Sequence, residues 1–269
     1  LGFNLIGDLI MQYEKELNAA LEAGLKAKAT VMKYYHEGFH VEIKGDNSPV
    51  TEADKASDKI IRDYLGERFP DYAFLTEESV DNKDRLKNDY VWIIDPVDGT
   101  EDFVHKDDMF TINIALAYKH KVVLGVVFIP ATGDIYYGVE GSGSFKIHDG
   151  NTTKIHVNDK LTDLTVLTSV YHPAIKDVKT IEKYKDRIKH VKKIGSSIKG
   201  CYIAEGKAEI TYRFEDGTKE WDTAAFQAVV ENAGGLVIKF NGQPIEYNRE
   251  DVYNRDGYIV LNRRENFLI

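Results

Sequence analysis

Hydrophobic residues in the first part of the chain recur at short helical intervals. Leu5, Leu9, Tyr13, Leu17, Ala20, Leu21, Leu25 and Val31 predict one or two long amphipathic helices over residues 4 to about 36. A second helix is predicted from Asp54 to Phe69, with Ala56, Ile60, Ile61, Tyr64 and Leu65 facing inward. Short apolar runs then predict strands near 72–76 and 90–95. A strand-rich middle follows at 110–119, 122–129 and 134–140, with Pro130 to Asp134 as a hairpin connection. The second half alternates: strand 165–170, helix 174–187, helix 197–206, strand 209–214, helix 222–233 and strand 258–261. The last of these helices stops at Gly234-Gly235, a C-cap signal. No repeat or low-complexity linker interrupts the pattern. The expectation is a mixed α+β (α/β-type) layered fold, one compact domain over residues 1–269 that is divisible into subdomains near 1–150 and 151–269.

One stretch breaks the pattern of buried strands ending in neutral turns. Residues 91–102 read VWIIDPVDGTED, so an apolar run passes directly into Asp95, Asp98, Glu101 and Asp102. A strand that ends at Asp95 places a carboxylate at the carboxyl edge of a sheet, where layered α/β proteins commonly hold ligands. Pro96 fixes φ and removes a donor, Gly99 allows a sharp turn, and Thr100 can begin a helix. Carboxylates, the Val97 carbonyl and a hydroxyl in one small volume suit Mg²⁺, and amides at a helix start suit phosphate. The competing reading is an Asp-Gly hairpin turn.

Other acids occupy comparable positions: Glu77-Glu78 after the run YAFLT, Asp222 after Trp221, and Asp54 after VTEA. Asp54 and Asp222 also read as helix N-caps or first-turn acids, and Glu77-Glu78 as a solvated pair. If these groups converge, two unit charges ~4 Å apart repel by about 4 kcal/mol at an effective dielectric of ~20. Convergence therefore implies divalent cations or taken-up protons.

Composition narrows the partners. With 44 acidic and 35 basic residues the formal net charge is -9, which argues against nucleic-acid polymers and anionic membranes. The 43% hydrophobic and 29% charged content is that of an ordinary globular chain. No apolar run approaches the ~20 residues that span a bilayer. The acidic start carries no recognisable targeting segment, so a cytoplasmic location is expected and the Asn151-Thr152-Thr153 sequon is not expected to be used. Cys201, the single cysteine, excludes an internal disulfide and reads as a small buried residue of the 197–206 helix.

Taken in order, the motifs resemble the inositol monophosphatase family of Mg²⁺-dependent, lithium-sensitive phosphatases. The resemblance is carried by Trp92-Ile93-Ile94-Asp95-Pro96-Val97-Asp98-Gly99-Thr100 with Phe103-Val104-His105, and by Trp221-Asp222-Thr223-Ala224-Ala225 with Glu231-Asn232-Ala233-Gly234-Gly235. Weaker matches are Ser48 to Asp54 and Glu77-Glu78-Ser79. It implies an αβαβα sandwich with two β-sheets, a homodimer, and hydrolysis of a small-molecule phosphate ester by activated water with two to three Mg²⁺ ions. Glu77, Asp95 and the Val97 carbonyl would hold one ion, and Asp95, Asp98 and Asp222 a second. A third, weaker ion would sit near Glu77. The Gly99 and Thr100 amides would take phosphate oxygens, while Thr100 with Asp54 would orient and deprotonate the attacking water. Ser196 and Asp222 would lie against substrate, although Ser at this place also reads as an N-cap.

Three positions depart from the family pattern. Thr76 stands where a Gly often precedes the Glu pair, and Glu101-Asp102 replace a neutral pair and are expected to face water. Arg213 falls near where inositol-selective members carry a Glu. It reads either as a surface Arg or as a contact for a second anionic group. The expected substrate is inositol monophosphate, with a sugar bisphosphate or a nucleotide or dinucleotide phosphate as the alternative. Lys44 reads as a group beside the metals or as a solvent-exposed lysine. The pattern HEGFH at 36–40 matches a zinc-peptidase motif, but Gly38 looks like a helix end that would separate His36 from His40. A zinc peptidase is thus a remote alternative, and a metal-binding regulatory protein without turnover is the alternative outside enzymes.

Overall fold

The computed structural model describes residues 12–43, 45, 49–171, 175–214 and 217–269. Leu5, Leu9, Lys44, Ser48 and the expected start of the helix at 174 lie outside the described residues. In chain order, α1 (Glu14–Glu37) leads through β1 (Val41–Ile43) and β2 (Pro49–Thr51) into α2 (Glu52–Arg68). There follow β3 (Ala73–Thr76), β4 (Tyr90–Asp98), α3 (Thr100–His105), β5 (Thr111–Tyr118), β6 (Lys121–Ile129) and β7 (Asp134–Val139). Next come β8 (Gly143–His148), β9 (Asn151–Ile155), β10 (Leu164–Thr168), α4 (Ile175–Lys183), β11 (Ile188–Lys193) and α5 (Ile198–Ala204). The chain ends through β12 (Ile210–Arg213), a 3₁₀ turn at Glu220–Asp222, α6 (Ala224–Asn232), β13 (Leu236–Ile238) and β14 (Tyr258–Leu261).

The strands form a seven-stranded sheet, β3-β4-β5-β6-β7-β8-β9, and a five-stranded sheet, β11-β10-β12-β14-β13. In the larger sheet only β3 and β4 run parallel, and the rest is an antiparallel meander. β1 and β2 make a separate hairpin. Helices α1 and α2 cover one face of the large sheet, α5 and α6 fill the space between the sheets, and α4 lies outside the small sheet, where Ile181 joins its outer cluster. This is the expected αβαβα sandwich.

The run VWII is apolar at every position because both of its faces are covered. Trp92 and Ile94 pack toward α1 and α2, beside Leu21, Ile61 and Phe128. Val91 and Ile93 point the other way, toward Cys201, Val229 and Val260. Side chains alternate along a strand, so a strand buried on both sides has no polar positions. Full burial of each large apolar side chain contributes ~1.5–3 kcal/mol. Two glycines let α6 lie flush on this sheet: a Cβ at Gly125 would sit 2.2 Å from the Ala225 carbonyl oxygen, and one at Gly138 would sit 2.3 Å from that of Ala228. This close approach carries the start of α6, and Asp222 just before it, to the carboxyl end of β4.

Several expectations are corrected. The strands β2, β8, β9, β11 and β13 were not expected; β2 and β13 are three residues long and β11 is exposed along most of its length. In α2 the inward face includes the polar Asp54, Ser57 and Asp58, all buried, while Ala56, Ile60 and Tyr64 are half-buried. Residues 36–40 do not form a zinc-peptidase helix: α1 ends at Glu37, and Gly38 caps it at φ 111°. No helix among the described residues is long and apolar enough to cross a membrane.

Candidate active site

The site begins with a parity problem in β4. Asp95 and Asp98 are three residues apart, and in a regular strand their side chains would point to opposite faces. The ladder with β5 resolves this: Asp95 pairs with Asn113 and Asp98 with Thr111, so three steps on β4 match two on β5. This bulge inserts one extra residue, and both carboxylates reach the same side of the sheet end. With Asp222 they bring carboxylate oxygens within 4.8 Å of one another.

Each acid is held by its neighbours. Asp98 Oδ2 accepts four hydrogen bonds, from Ser197 N (2.7 Å), Ser197 Oγ (2.6 Å), Asn113 Nδ2 (3.1 Å) and Thr111 Oγ1 (3.2 Å). Asp95 Oδ1 accepts from Val97 N at 3.1 Å. The Lys219 amide donates to Asp222 Oδ2 at 2.5 Å. Asp54 closes a capping box on α2, taking the Thr51 amide at 2.9 Å and the Thr51 hydroxyl at 2.5 Å on Oδ2. Its other oxygen, Oδ1, lies 3.2 Å from Thr100 Oγ1, which is also 3.2 Å from the Val97 carbonyl. The helix-cap reading of Asp54 therefore holds through one oxygen, while the other reaches Thr100 at the edge of the cavity. Gly99 adopts the left-handed region at φ 84° and caps α3, so Asp-Gly is a strand-to-helix turn and not a hairpin.

Concentrated negative charge dominates the electrostatics. Burial raises Asp95 well above the usual carboxylate range, and Glu77, Asp98, Asp222 and Asp54 raise it further. Burial likewise raises Asp222, reinforced by Asp98 and Glu77. Asp54 is raised by burial, against the lowering effect of its bonds from Thr51. Opposite these acids stands Lys199, which burial lowers to about 8 while Asp98 and Asp102 pull it back up. Its Nζ donates to the Ser196 and Ile194 carbonyls at 2.8 and 3.1 Å.

A cavity of about 400 Å³ collects these groups. Glu77, Asp95, Val97, Asp98, Gly99 and Thr100 line it, as do Ser196, Arg213 and Asp222. Among the expected site residues only Asp54 stays off the wall, touching Thr100 from behind. Ser196 Oγ and Arg213 Nε are buried atoms without a hydrogen-bond partner among the described residues. The donors offered to a cation are carboxylate and carbonyl oxygens, a hard set that fits Mg²⁺.

Sequence reasoning missed Lys199, which lies one turn past Ser196 on α5, and Ser197, which orients Asp98. Thr111 and Asn113 did carry a signal, as polar residues at period two inside an apolar strand. The expectation that Glu101 and Asp102 face water is corrected. Both line the cavity, and Asp102 is only 6% exposed, pushed up to about 7 by burial and then by Asp107 and Asp98.

A family model described as the inositol monophosphatase family matches residues 12–267. This chain belongs to the inositol monophosphatase family. It is accordingly a phosphoric monoester hydrolase. Among curated relatives, the 3′(2′),5′-bisphosphate nucleotidase CysQ of Escherichia coli strain K12 is 33% identical over 249 residues, covering 91% of this chain and 98% of that one. Inositol monophosphatase 2 of Solanum lycopersicum is 31% identical over 267 residues, 94% of this chain and 100% of that one. Among solved structures, CysQ from Bacteroides thetaiotaomicron superposes with a TM-score of 0.81 at 32% identity, covering 94% of this chain and 99% of that one. These inositol monophosphatase relatives span the whole site, from Asp54 to Asp222.

Proposed function

We propose that the chain is a Mg²⁺-dependent phosphatase that removes one phosphate from a nucleoside bisphosphate. The observation that carries the reading is the placement of Arg213 on the wall of the carboxylate cavity, with Lys199 on the same wall. A monophosphate ester of a neutral sugar leaves a second cationic contact without a purpose, whereas a second phosphate matches an Arg fork. The names of the CysQ relatives support the same substrate class, so inositol monophosphate becomes the second choice.

In this reading Glu77, Asp95 and the Val97 carbonyl would hold one cation, Asp95, Asp98 and Asp222 a second, and Glu77 would help hold a third, weaker one. The chemistry that Mg²⁺ would supply when bound is neutralisation of the phosphate charge and a lowered pKa for a bound water. The chain's own groups do the rest. Thr100 Oγ1, shared between Asp54 Oδ1 and the Val97 carbonyl, holds the attacking water in line, and Asp54 draws its proton through that hydroxyl. The Gly99 and Thr100 amides take phosphate oxygens, while Ser196 and Arg213 receive the remainder of the substrate. A homodimer, lithium sensitivity and a cytoplasmic location belong to the proposal on the family resemblance alone.

The test is phosphate release from adenosine 3′,5′-bisphosphate, NADP, fructose 1,6-bisphosphate and inositol 1-phosphate, each with Mg²⁺ and with excess EDTA. The expected result is the highest kcat/KM for the nucleoside bisphosphate and no release in EDTA. Equal or better turnover of inositol 1-phosphate would overturn the substrate, and robust turnover in EDTA would overturn the metal.

A further inference from the structure

The Asp222 carboxylate is held by the Lys219 amide, and a ring of polar side chains outside the cavity wall holds the backbone around it. The Lys219 carbonyl in turn accepts Asn254 Nδ2 at 2.8 Å. Asn254, 5% exposed, is fixed through its own Oδ1 by Arg249 Nη2 at 2.8 Å. Arg249 also donates to the Val252 and Tyr253 carbonyls at 3.2 and 3.1 Å, and its Nε meets Glu220 Oε1 at 3.2 Å. Glu220 is fully buried and belongs to the same 3₁₀ turn as Asp222; its carboxylate takes the Asn248 and Arg249 amides as well. The ring is therefore closed: it leaves the turn at Glu220 and returns to it at Lys219.

A second arm joins this ring to the segment that follows Glu77. Arg85, 3% exposed, donates to Asn248 Oδ1 at 2.8 Å and to the Arg249 carbonyl at 2.9 Å. Asn248 Nδ2 answers to the Arg85 carbonyl at 3.1 Å. Densely bonded networks of this kind, buried here except for the half-buried Arg249, fix one arrangement of the chain because loosening any member strands the others. A carboxylate that must repel its neighbours until a cation arrives needs such external fixing more than an ordinary surface acid does.

We propose that Asn254 and Arg249 are positioning residues for Asp222, and that they set the cation affinity of the site without touching a cation. The proposal rests on the metal reading given above. A ring that merely cross-links two loops would change stability and nothing else.

The test uses the full chain and Mg²⁺ alone as probe, following Tm across a Mg²⁺ titration for wild type, Asn254→Ala, Arg249→Lys and Tyr136→Phe. Tyr136 bonds Glu205 at 2.6 Å away from the cavity, so its variant controls for general destabilisation. Asn254→Ala and Arg249→Lys should need at least tenfold more Mg²⁺ for half of their Tm rise, and kcat should recover toward wild type at saturating Mg²⁺. Tyr136→Phe should lower Tm at every Mg²⁺ concentration without moving the midpoint. Should Asn254→Ala fail to fold, Arg249→Lys, which keeps the charge beside Glu220, decides alone. Midpoints equal to wild type in the folded ring variants overturn the proposal, whatever their Tm in EDTA. A wild type that Mg²⁺ does not stabilise overturns the metal reading and this proposal together.

Discussion

Asp95→Asn should make the metal-free protein more stable and the Mg²⁺-loaded protein less so. Carboxylate oxygens of Asp95, Asp98 and Asp222 lie within 4.8 Å of one another. At that separation two ionised carboxylates repel by ~3.5 kcal/mol at an effective dielectric of about 20. Asp95 meets two such partners, and Glu77 and Asp54 add to them. Proton uptake limits the penalty: holding an acid of ordinary pKa near 4 neutral at pH 7 costs at most ~4 kcal/mol. Asn keeps the oxygen that accepts the Val97 amide, so little packing is lost. The expected gain in EDTA at pH 7 is ~2–4 kcal/mol, or roughly 4–12 °C in Tm for a chain of this size.

Thermal unfolding followed by circular dichroism, in EDTA and in Mg²⁺, reads both halves of the prediction. Wild type should gain ~2.7 kcal/mol for each Mg²⁺ site filled at about 100 times its Kd, roughly 5.4 kcal/mol for the two proposed ions, and the variant far less, so the order of the two Tm values reverses. The pH dependence follows from the same shifts. Asp95 and Asp222 are raised in the folded state, so between the ordinary carboxylate range and their raised values the folded chain binds more protons than the unfolded one. Metal-free wild type therefore loses stability as pH rises through that window, and Asp95→Asn loses less. An Asn variant no more stable than wild type in EDTA, or one stabilised equally by Mg²⁺, refutes the reasoning.

Asp98→Asn should preserve the fold while phosphate release drops by more than ~100-fold, a loss expected where a charge serves the reaction directly; near-normal rates would exclude a metal role. Arg213→Glu should raise the ratio of inositol monophosphate to bisphosphate turnover by about tenfold or more, the worth of one charge-assisted contact. An unchanged ratio removes Arg213 from substrate recognition. Asp102, held at about 7, is a burden that grows as pH rises from about 4 to 7, by at most ~4 kcal/mol. Asp102→Asn should therefore flatten the loss of stability over that range in urea titrations at pH 5 and 7, and parallel curves for the two proteins would refute it.

Much of the fold was legible because strands and helices buried on one or both faces announce themselves by period. β4, β5, β6 and β14 were expected within a few residues of where they lie, and so were α2 and α6. The elements that escaped, β11 and β13 among them, are short or exposed: β11 reads IKHVKK, and only Ile188 in it is buried. Its partner β10 specifies it, not its own pattern, and tertiary context of that kind leaves no mark in a local window. The site divides the same way. The identities of Asp95, Asp98 and Asp222 could be read and the family resemblance implied their convergence, but local strand geometry argued against it, because residues three apart on a strand face opposite ways. One extra residue in the ladder between Asp95 and Asp98 reverses that conclusion. Nothing in PVD beyond the proline hints at the bulge, which shows only in the pairing with Thr111 and Asn113. Those two polar residues of β5 serve both purposes. Their backbones set the register that turns Asp98 into the cavity, and their side chains then hold its carboxylate there.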